Sequence, residues 1–591
     1  MSEENTHGGD PSHGPAATPA KPWALRNYAF IGDGERGALV DPDGALVWLC
    51  APRWDSDGVI SQLVGGPGGF LVQPEENWRV WGGSYEDGTL IRVNRWVTAA
   101  GIVECRDALA MPADPGQVLV LRRVRAVKGD ARVDVALDIR PGFGAHRMEN
   151  VREEEGGWTA SAGGLHIRLT GLDGLVPRSD GSFGRKLAVP RRQEHDLVLE
   201  ISDRRGTAAH DAPALWGATE RCWRELVPGC DELAAPRDAR HAYAVLAGMS
   251  SPSGGGTVAA ATSSLPERAD TGRNYDYRFT WIRDQCYVGL AVAAHGPHPL
   301  LDRAVGFVTA RVLEDGPQLR AAYTVDGGPV PAERSLRLLG YPGGNDKVGN
   351  DAGEQFQLDA YGEVLQLLAA AARLDRLGAE GHHAMDVAAD AVEENWTRPD
   401  AGVWELEERW WTHSRLAAVA GLRAAADAVT GAAADHRREL ADAVVREARR
   451  RCLHASGYWQ RAEDDPGVDA ALLMAFVRGA LPPDDPSVLR TRQQIRQSLT
   501  DDGYVYRFRH DGRRLGEAEG AFLLCGPMMA LACDMDGESA EAFRWFERSR
   551  AACGPPGLYA EEYDVLQHQL RGNIPQAFVH ALMLESAVRL R

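Results

Sequence analysis

The sequence predicts two folded regions of opposite character, an antiparallel β-sandwich followed by an all-α domain. Two observations carry the prediction. Short Val/Ile/Leu-rich runs, punctuated by Gly, Pro and Asp, occupy roughly the first third of the chain. Long Ala/Leu/Arg/Glu-rich segments, with apolar residues three and four apart, occupy the rest.

The first 22 residues are polar and rich in Gly, Pro, Ala and Thr, and read as a disordered tail. They lack a basic start followed by an apolar core, so no secretion signal is expected and the protein is predicted to be cytoplasmic. The β-sandwich is assigned to 23–214. Its strands are expected at 89–97, 118–127, 131–139, 165–172 and 196–203, where the runs partly alternate. The glycines between Gly65 and Gly69 follow no strand-to-helix pattern and read as a turn. A helical linker is expected over 215–267 and the helical domain over 268–591. Helices are read at 361–378, 413–431 and 435–452, with Gly378 and Gly431 as C-terminal caps. At roughly 27 residues per helix and loop, the helical domain has room for about twelve helices, the number of a closed double ring of hairpins.

Composition narrows the chemistry. Of 591 residues, 65 are Lys or Arg and 84 are Asp or Glu, a formal net charge of −19. Phosphate backbones and anionic membranes call for the opposite sign, so neither is expected as a partner. No apolar run approaches the length of a membrane span. Nine scattered cysteines without a CxxC pair read as reduced thiols, not a disulfide frame or zinc site. There is no GxxxxGK[ST], HExxH or GxSxG motif, and no cofactor or catalytic metal is expected. His382 and His383 read as a polar surface loop.

What remains is aromatic residues beside carboxylates. The stretch 272–285 sets Tyr275, Tyr277, Phe279 and Trp281 among Asp276, Arg278, Arg283 and Asp284. Aromatic faces pack on the C–H face of a pyranose, while Arg and Asp bind its hydroxyls. The same mixture also suits an ion pair beneath core aromatics. At 401–414, Glu405 follows Trp404 directly, near Trp410 and Trp411. A carboxyl against indole rings keeps its proton more tightly, as a general acid must; a solvated acidic turn would carry the same residues. At 557–565, Glu561 and Glu562 are neighbours between tyrosines, so one can face a pocket while the other supports it. In 350–364, a helix starting near Gly353 would pair Gln357 with Tyr361 and Gln355 with Asp359, lining a polar cavity. A carboxyl acid, a carboxyl base and aromatic platforms without a metal together describe a glycosidase.

These motifs bring a family into view. The chain from about Tyr28 to Leu590 resembles glycoside hydrolase family 15, which holds glucoamylases, glucodextranases and bacterial trehalases. The resemblance rests on IGDGERGALVDPDGALVWLCAPRWDS (31–56), AAATSSLPE (259–267), RNYDYRFTWIRD (273–284), VGNDAGEQFQLDAYGEV (348–364), GVWE (402–405), THS (412–414), GEAEGAFLLC (516–525), LYAEEYD (558–564) and GNIPQAF (572–578), in that order. It implies a β-sandwich followed by an (α/α)6 barrel with a pocket at one end. It also implies Glu405 as general acid and Glu561 as general base, with Arg283 and Asp284 gripping the terminal glucose. Trp281, Tyr277, Trp404, Tyr323 and Glu562 are implied as further substrate-binding residues, with Trp404 and Tyr323 as aromatic walls. The implied reaction is inverting, exo-acting hydrolysis of trehalose or maltooligosaccharides, with the carboxyls roughly 6.5–9.5 Å apart. The expected partner is a small α-glucoside, and a homo-oligomer is compatible with the sequence.

Three features depart from the family pattern. After THS the helix reads RLAAVAGLRAAAD, as if pocket residues had eroded to alanine and glycine. Tyr275 stands where Trp is usual, and 323–347 matches loosely. Two other readings therefore stand beside hydrolysis of a glucan or trehalose. One is an enzyme of specialised metabolism using the same acid–base pair for hydrolysis, cyclisation or dehydration of a non-glucan. The other is a non-catalytic sugar-binding protein.

Overall fold

The computed structural model describes residues 22–154, 157–205, 210–269, 272–510 and 512–591. The tail expected over 1–22 therefore lies, apart from Pro22, outside the described residues.

Alternation along the N-terminal strands drives the first layer pair. In Ala131–Asp138, residues 131, 133, 135 and 137 are buried and those between them face outward in part. Two eight-stranded antiparallel sheets result. One runs Ala29–Gly32, Gly37–Val40, Ala45–Cys50, Gly69–Pro74, Ala131–Asp138, Phe183–Val189, Val176–Pro177, with Gly58–Ile60 beside the third strand. The other runs Glu149–Glu154, Gly157–Ala162, Leu165–Thr170, Glu194–Ser202, Gln117–Lys128, Ile102–Leu109, Arg92–Thr98, Arg79–Tyr85. Their inner faces share an apolar core that includes Phe70, Val72, Trp96, Val120, Val124, Leu199 and Ile201. All five runs read as strands are strands.

Thirteen α-helices follow among the described residues: α1 (Ala212–Leu226), α2 (Pro236–Met249), α3 (Ile282–His295), α4 (Pro299–Asp315), α5 (Leu358–Arg373), α6 (Ala379–Asn395), α7 (Thr412–Asp427), α8 (Ala432–Cys452), α9 (Leu472–Val477), α10 (Pro486–Ser498), α11 (Cys525–Met535), α12 (Ser539–Arg550) and α13 (Ala577–Arg589). Helices α3, α5, α7, α9, α11 and α13 pack in succession, and α13 returns to α3, closing an inner ring. The alternate helices from α2 to α12 cover it. Helices α5 and α13 are buried on nearly every face, whereas α8 and α10 keep a polar outer face.

The structure adjusts several local expectations. The stretch 215–267 does not merely link. Helix α1 lies on the sandwich, where Trp216 Nε1 donates to Asp196 at 2.9 Å, but α2 packs on α13 and supplies the first helix of the double ring. Residues 351–354 form a 3₁₀ turn capped by Asn350, so α5 starts only at Leu358 and the two face-sharing pairs predicted from Gly353 do not form. Gly378 and Gly431 are N-caps of α6 and α8, not C-caps of the helices before them. His382 and His383 are exposed, on helix α6 rather than in a loop.

Alanines and glycines in α7 have a packing reason. A Cβ on Gly362 would lie 2.4 Å from the Ala417 carbonyl oxygen, and one on Gly421 would lie 2.4 Å from that of Gly362. Helices α5 and α7 thus touch backbone to backbone, which only the smallest residues permit. The small residues read as an eroded pocket wall are a helix crossing instead.

Candidate active site

A cavity of about 410 Å³ opens at the end of the barrel where the inner helices begin. Unpaired backbone N–H groups and the positive ends of the helix dipoles gather there. Every inner helix but α9 contributes lining from its first turn or the loop before it. These residues include Trp281, Arg283 and Asp284 ahead of α3 and in its first turn, Gln355 before α5, and Val403 to Leu406 before α7. Arg507 and Phe522 precede α11, while Glu561, Gln576 and Phe578 lie around the start of α13.

The Glu405 loop is held from below. Asp400 Oδ2 accepts from Gly402 N at 3.1 Å and from Ser414 Oγ at 2.7 Å, and its other oxygen pairs with Arg415. Trp404 is locked by its Nε1, which donates to both Asp469 oxygens at 2.9 and 3.1 Å, and by an edge-on contact with Phe522. Glu405 itself has φ 56°, a left-handed conformation costly for a residue with a Cβ. Its carboxyl is a quarter exposed and lies 3.5 Å from Arg283 Nη2.

Arg283 joins this loop to the cavity floor. Its Nη1 donates to Val403 O at 2.6 Å and its Nε to Asp284 Oδ2 at 3.2 Å. Asp284 Oδ1 is buried with no partner among the described residues, leaving an acceptor at the floor. Trp281 stands edge-on to Tyr277, 5.5 Å between ring centroids, and Tyr277 stacks on Tyr275.

Glu561 approaches from the other wall. Its Oε1 accepts from Tyr277 Oη at 2.9 Å, and its Oε2 is buried without a partner. Burial, and then the charge of Glu267, push its carboxyl well above the usual range, against the pull of Arg507. Glu562 shares that upward shift for the same leading reasons. Strand alternation turns Glu562 the other way, where its Oε2 accepts from Gly520 N at 2.7 Å. Behind both sit Glu267 with Arg273 at 2.6 Å, and Arg507 paired with Glu519. The pairing is unequal: Arg507 holds the Glu519 carboxyl well below the usual range, while Glu561 and Glu562 are left to hold their protons more tightly.

Most residues expected at the site converge here: Glu405, Glu561, Arg283, Asp284, Trp281, Tyr277 and Trp404 all line the cavity. Two do not. Tyr323 is buried against Phe307, and its hydroxyl is held by Asp315 and the Arg320 N–H, so it forms no wall. Glu562 supports from behind. Glu267, Arg273, Arg507, Gln576 and Phe578 also line the cavity, beyond the residues expected from the sequence. Glu267 and Arg273 lie inside recognised motifs and could have been found there; Arg507 carries no local signal.

Comparisons with known proteins agree on one family. The model of "Glycosyl hydrolases family 15" matches residues 239–588, and that of "Trehalase-like, N-terminal" matches 18–221. A trehalase of Mycobacterium tuberculosis is 30% identical over 98% of this chain and 91% of its own. Trehalase 1 of Sulfolobus acidocaldarius is 27% identical over 95% of this chain and 98% of its own. The crystal structure of a bacterial glucoamylase complexed with acarbose superposes with a TM-score of 0.73 at 15% identity, covering 98% of this chain and 96% of that one, and so shares the fold.

Proposed function

The chain belongs to glycosyl hydrolase family 15, and from that premise we propose that this glycoside hydrolase cleaves trehalose by inversion, with Glu405 as general acid and Glu561 as general base. The observation that carries the reading is the convergence of both carboxyls, from loops 156 residues apart, on one cavity whose floor holds Arg283 and Asp284.

The terminal glucose sits on that floor, where Asp284 Oδ1 accepts from a hydroxyl and Arg283 donates to another. Glu405 gives its proton to the glycosidic oxygen. Glu561 takes a proton from the attacking water through Oε2, the oxygen that Tyr277 leaves free. Charge develops at the anomeric carbon between the two carboxyls, and the new bond forms on the face opposite the leaving group. No metal enters these steps.

Trehalose is preferred to a longer glucan because trehalases are similar to this chain in sequence, at 30% and 27% identity, whereas the glucoamylase shares the fold at 15%. The specialised-metabolism reading loses its motive, since the α7 alanines pack on α5 and do not face the cavity. Proton NMR of trehalose, maltose, maltotriose and isomaltose digests tests the proposal. Inversion of trehalose releases one β- and one α-glucose per bond; early release of α-glucose alone, or inertness of all four sugars, would refute it.

A further inference from the structure

Exposure gives the cavity a direction. Trp281, Arg283, Asp284 and Glu561 are buried at its floor, whereas Tyr275, Glu405 and a group of four, Glu333, Asn350, Asp351 and Gln355, are exposed or half-buried toward its mouth. In a pocket that takes a chain end, the leaving group lies at the mouth. That group of four belongs to one segment, the strap 324–357 between the strand Ala322–Tyr323 and helix α5.

That strap leans on the β-sandwich. Its short hairpin pairs Arg334–Ser335 with Lys347–Val348. Arg334 Nη2 meets Asp57 Oδ1 of the sandwich at 2.8 Å, and Gly340 N donates to Val64 O at 3.0 Å. The strap's tip sits so close to the sandwich that a Cβ on Gly65 would lie 2.8 Å from Leu339 Cβ. A second tie runs beneath: Gly349 N donates to Asp276 Oδ2 at 2.9 Å, Asp276 pairs with Arg278, and Arg278 Nη1 donates to Ser56 O at 2.8 Å. Glu333 and Asn350 are the immediate neighbours of the anchors Arg334 and Gly349, and Asp351 follows Asn350. Glu333 precedes Arg334, its N–H donates to Asp351 Oδ1 at 3.1 Å, and its carboxyl meets Lys347 Nζ at 2.8 Å.

We infer that the β-sandwich is a working part of the leaving-group subsite: through Asp57 and the Val64–Gly66 turn it positions the strap whose Glu333, Asn350, Asp351 and Gln355 bind the hydroxyls of the departing sugar. The inference rests on the glycosidase reading and adds to it a role for the N-terminal domain. Asp57 and Gly65 are positioning residues, since neither lines the cavity.

Two substrates separate the subsites. Trehalose has a sugar leaving group; α-glucosyl fluoride has none and reports only the floor and the catalytic carboxyls. Gly65→Val pushes on Leu339 and forces a Cβ into a backbone of φ 75°. It is expected to raise KM for trehalose about tenfold while kcat/KM for α-glucosyl fluoride stays within about twofold. Arg334→Asp, at an exposed pair that folding tolerates, should raise the trehalose KM about two- to threefold, and the swap Asp57→Arg/Arg334→Asp should restore it. Maltose replaces trehalose if the wild type prefers it. Equal losses on both substrates, or an unchanged KM for the disaccharide, would overturn the inference. A wild type inert towards fluoride and disaccharides alike would instead overturn the glycosidase reading beneath it.

Discussion

The interiors of the two domains are built on different terms. The sandwich core is apolar, and its central buried charge is fully answered: Arg122 pairs with Asp107 at 2.8 Å and donates to Phe70 O and Gly44 O at 2.6 and 2.7 Å. Arg92 is the exception: its guanidinium nitrogens have no hydrogen-bond partner among the described residues, and it lies over the rings of Tyr85 and Trp81 within reach of the Asp107 charge. The barrel interior instead buries Asp359, Glu363, Gln366, Tyr287 and His413, each with at least one polar atom unpartnered among the described residues. Sheets packed face to face leave a layer that alternating side chains fill. Six helices in a ring leave an axis that they fill less easily, and here polar groups occupy it below the cavity. The difference teaches where each domain keeps its stability and where it keeps its polar groups: unmet polar capacity collects in the domain that holds the cavity.

The strongest test of that division removes the two carboxyls proposed as acid and base. Glu405→Gln and Glu561→Gln should each lower kcat on trehalose by about 10³-fold or more while the thermal transition stays in place. Full turnover in either would reassign the roles. The pH profile carries the same logic. Glu561 must be ionised to act as base, and its folded pKa is raised, so kcat/KM should fall as pH drops through a value well above that of an ordinary carboxylate. An acid limb at the usual carboxylate pKa would break the argument from burial and Glu267.

In the sandwich the same kind of substitution should act on stability. Arg122→Met strands Asp107 at zero exposure, and a broken buried pair costs about 3–5 kcal/mol. Denaturant unfolding measures it. A loss below about 1 kcal/mol would mean that the pair is no more tightly used than the barrel's polar groups.

How much of this could be read from residues alone varies with distance along the chain. Strand alternation and helical period are local, so both domains and their order were legible. That Glu405 and Glu561 share a cavity was legible through the family resemblance, since each sits in a short matching motif; their aromatic neighbours alone left a solvated turn equally open. The cluster around Glu561 was not, since Arg273 and Glu519 meet across 246 residues at 3.3 Å. Tyr323 misled because a tyrosine's sequence neighbours do not say which way it points. Helix α2 looked like a linker because its partner, α13, is the last helix of the chain. The α7 alanines looked like erosion because their reason, Gly362, lies on another helix.

Glu363 sharpens the contrast by predicting a gain. Burial lifts its pKa to about 7, with Glu585 adding to the lift and Arg478 and Arg283 opposing it. A raised folded pKa gives stability that is fully present below the unfolded value of 4.5 and lost as pH rises through about 7. Glu363→Gln removes that loss. Arg478 does not suffer, since Glu585 holds it at 2.5 and 2.7 Å. The variant should therefore gain on the order of 1–3 kcal/mol at pH 8 and nothing near pH 4. Melting curves at the two pH values decide, and a loss at pH 8 would show that the ionised Glu363 is a needed partner of Arg478.

The smallest effect concerns a single backbone. Glu405 holds its carboxyl over the cavity at φ 56°, a conformation that disfavours any Cβ. Glu405→Ala keeps that strain and Glu405→Gly relieves it, while both delete the acid. If the loop imposes the conformation, the glycine variant should be the more stable of the two by about 0.5–1 kcal/mol, because relief of the strain exceeds the added entropy of an unfolded glycine. If the carboxyl's approach to Arg283 imposes it, the alanine variant relaxes to negative φ and the glycine variant is the less stable. The sign of that difference tells whether Asp400, Ser414 and Arg415 hold the loop in its strained form before any substrate arrives.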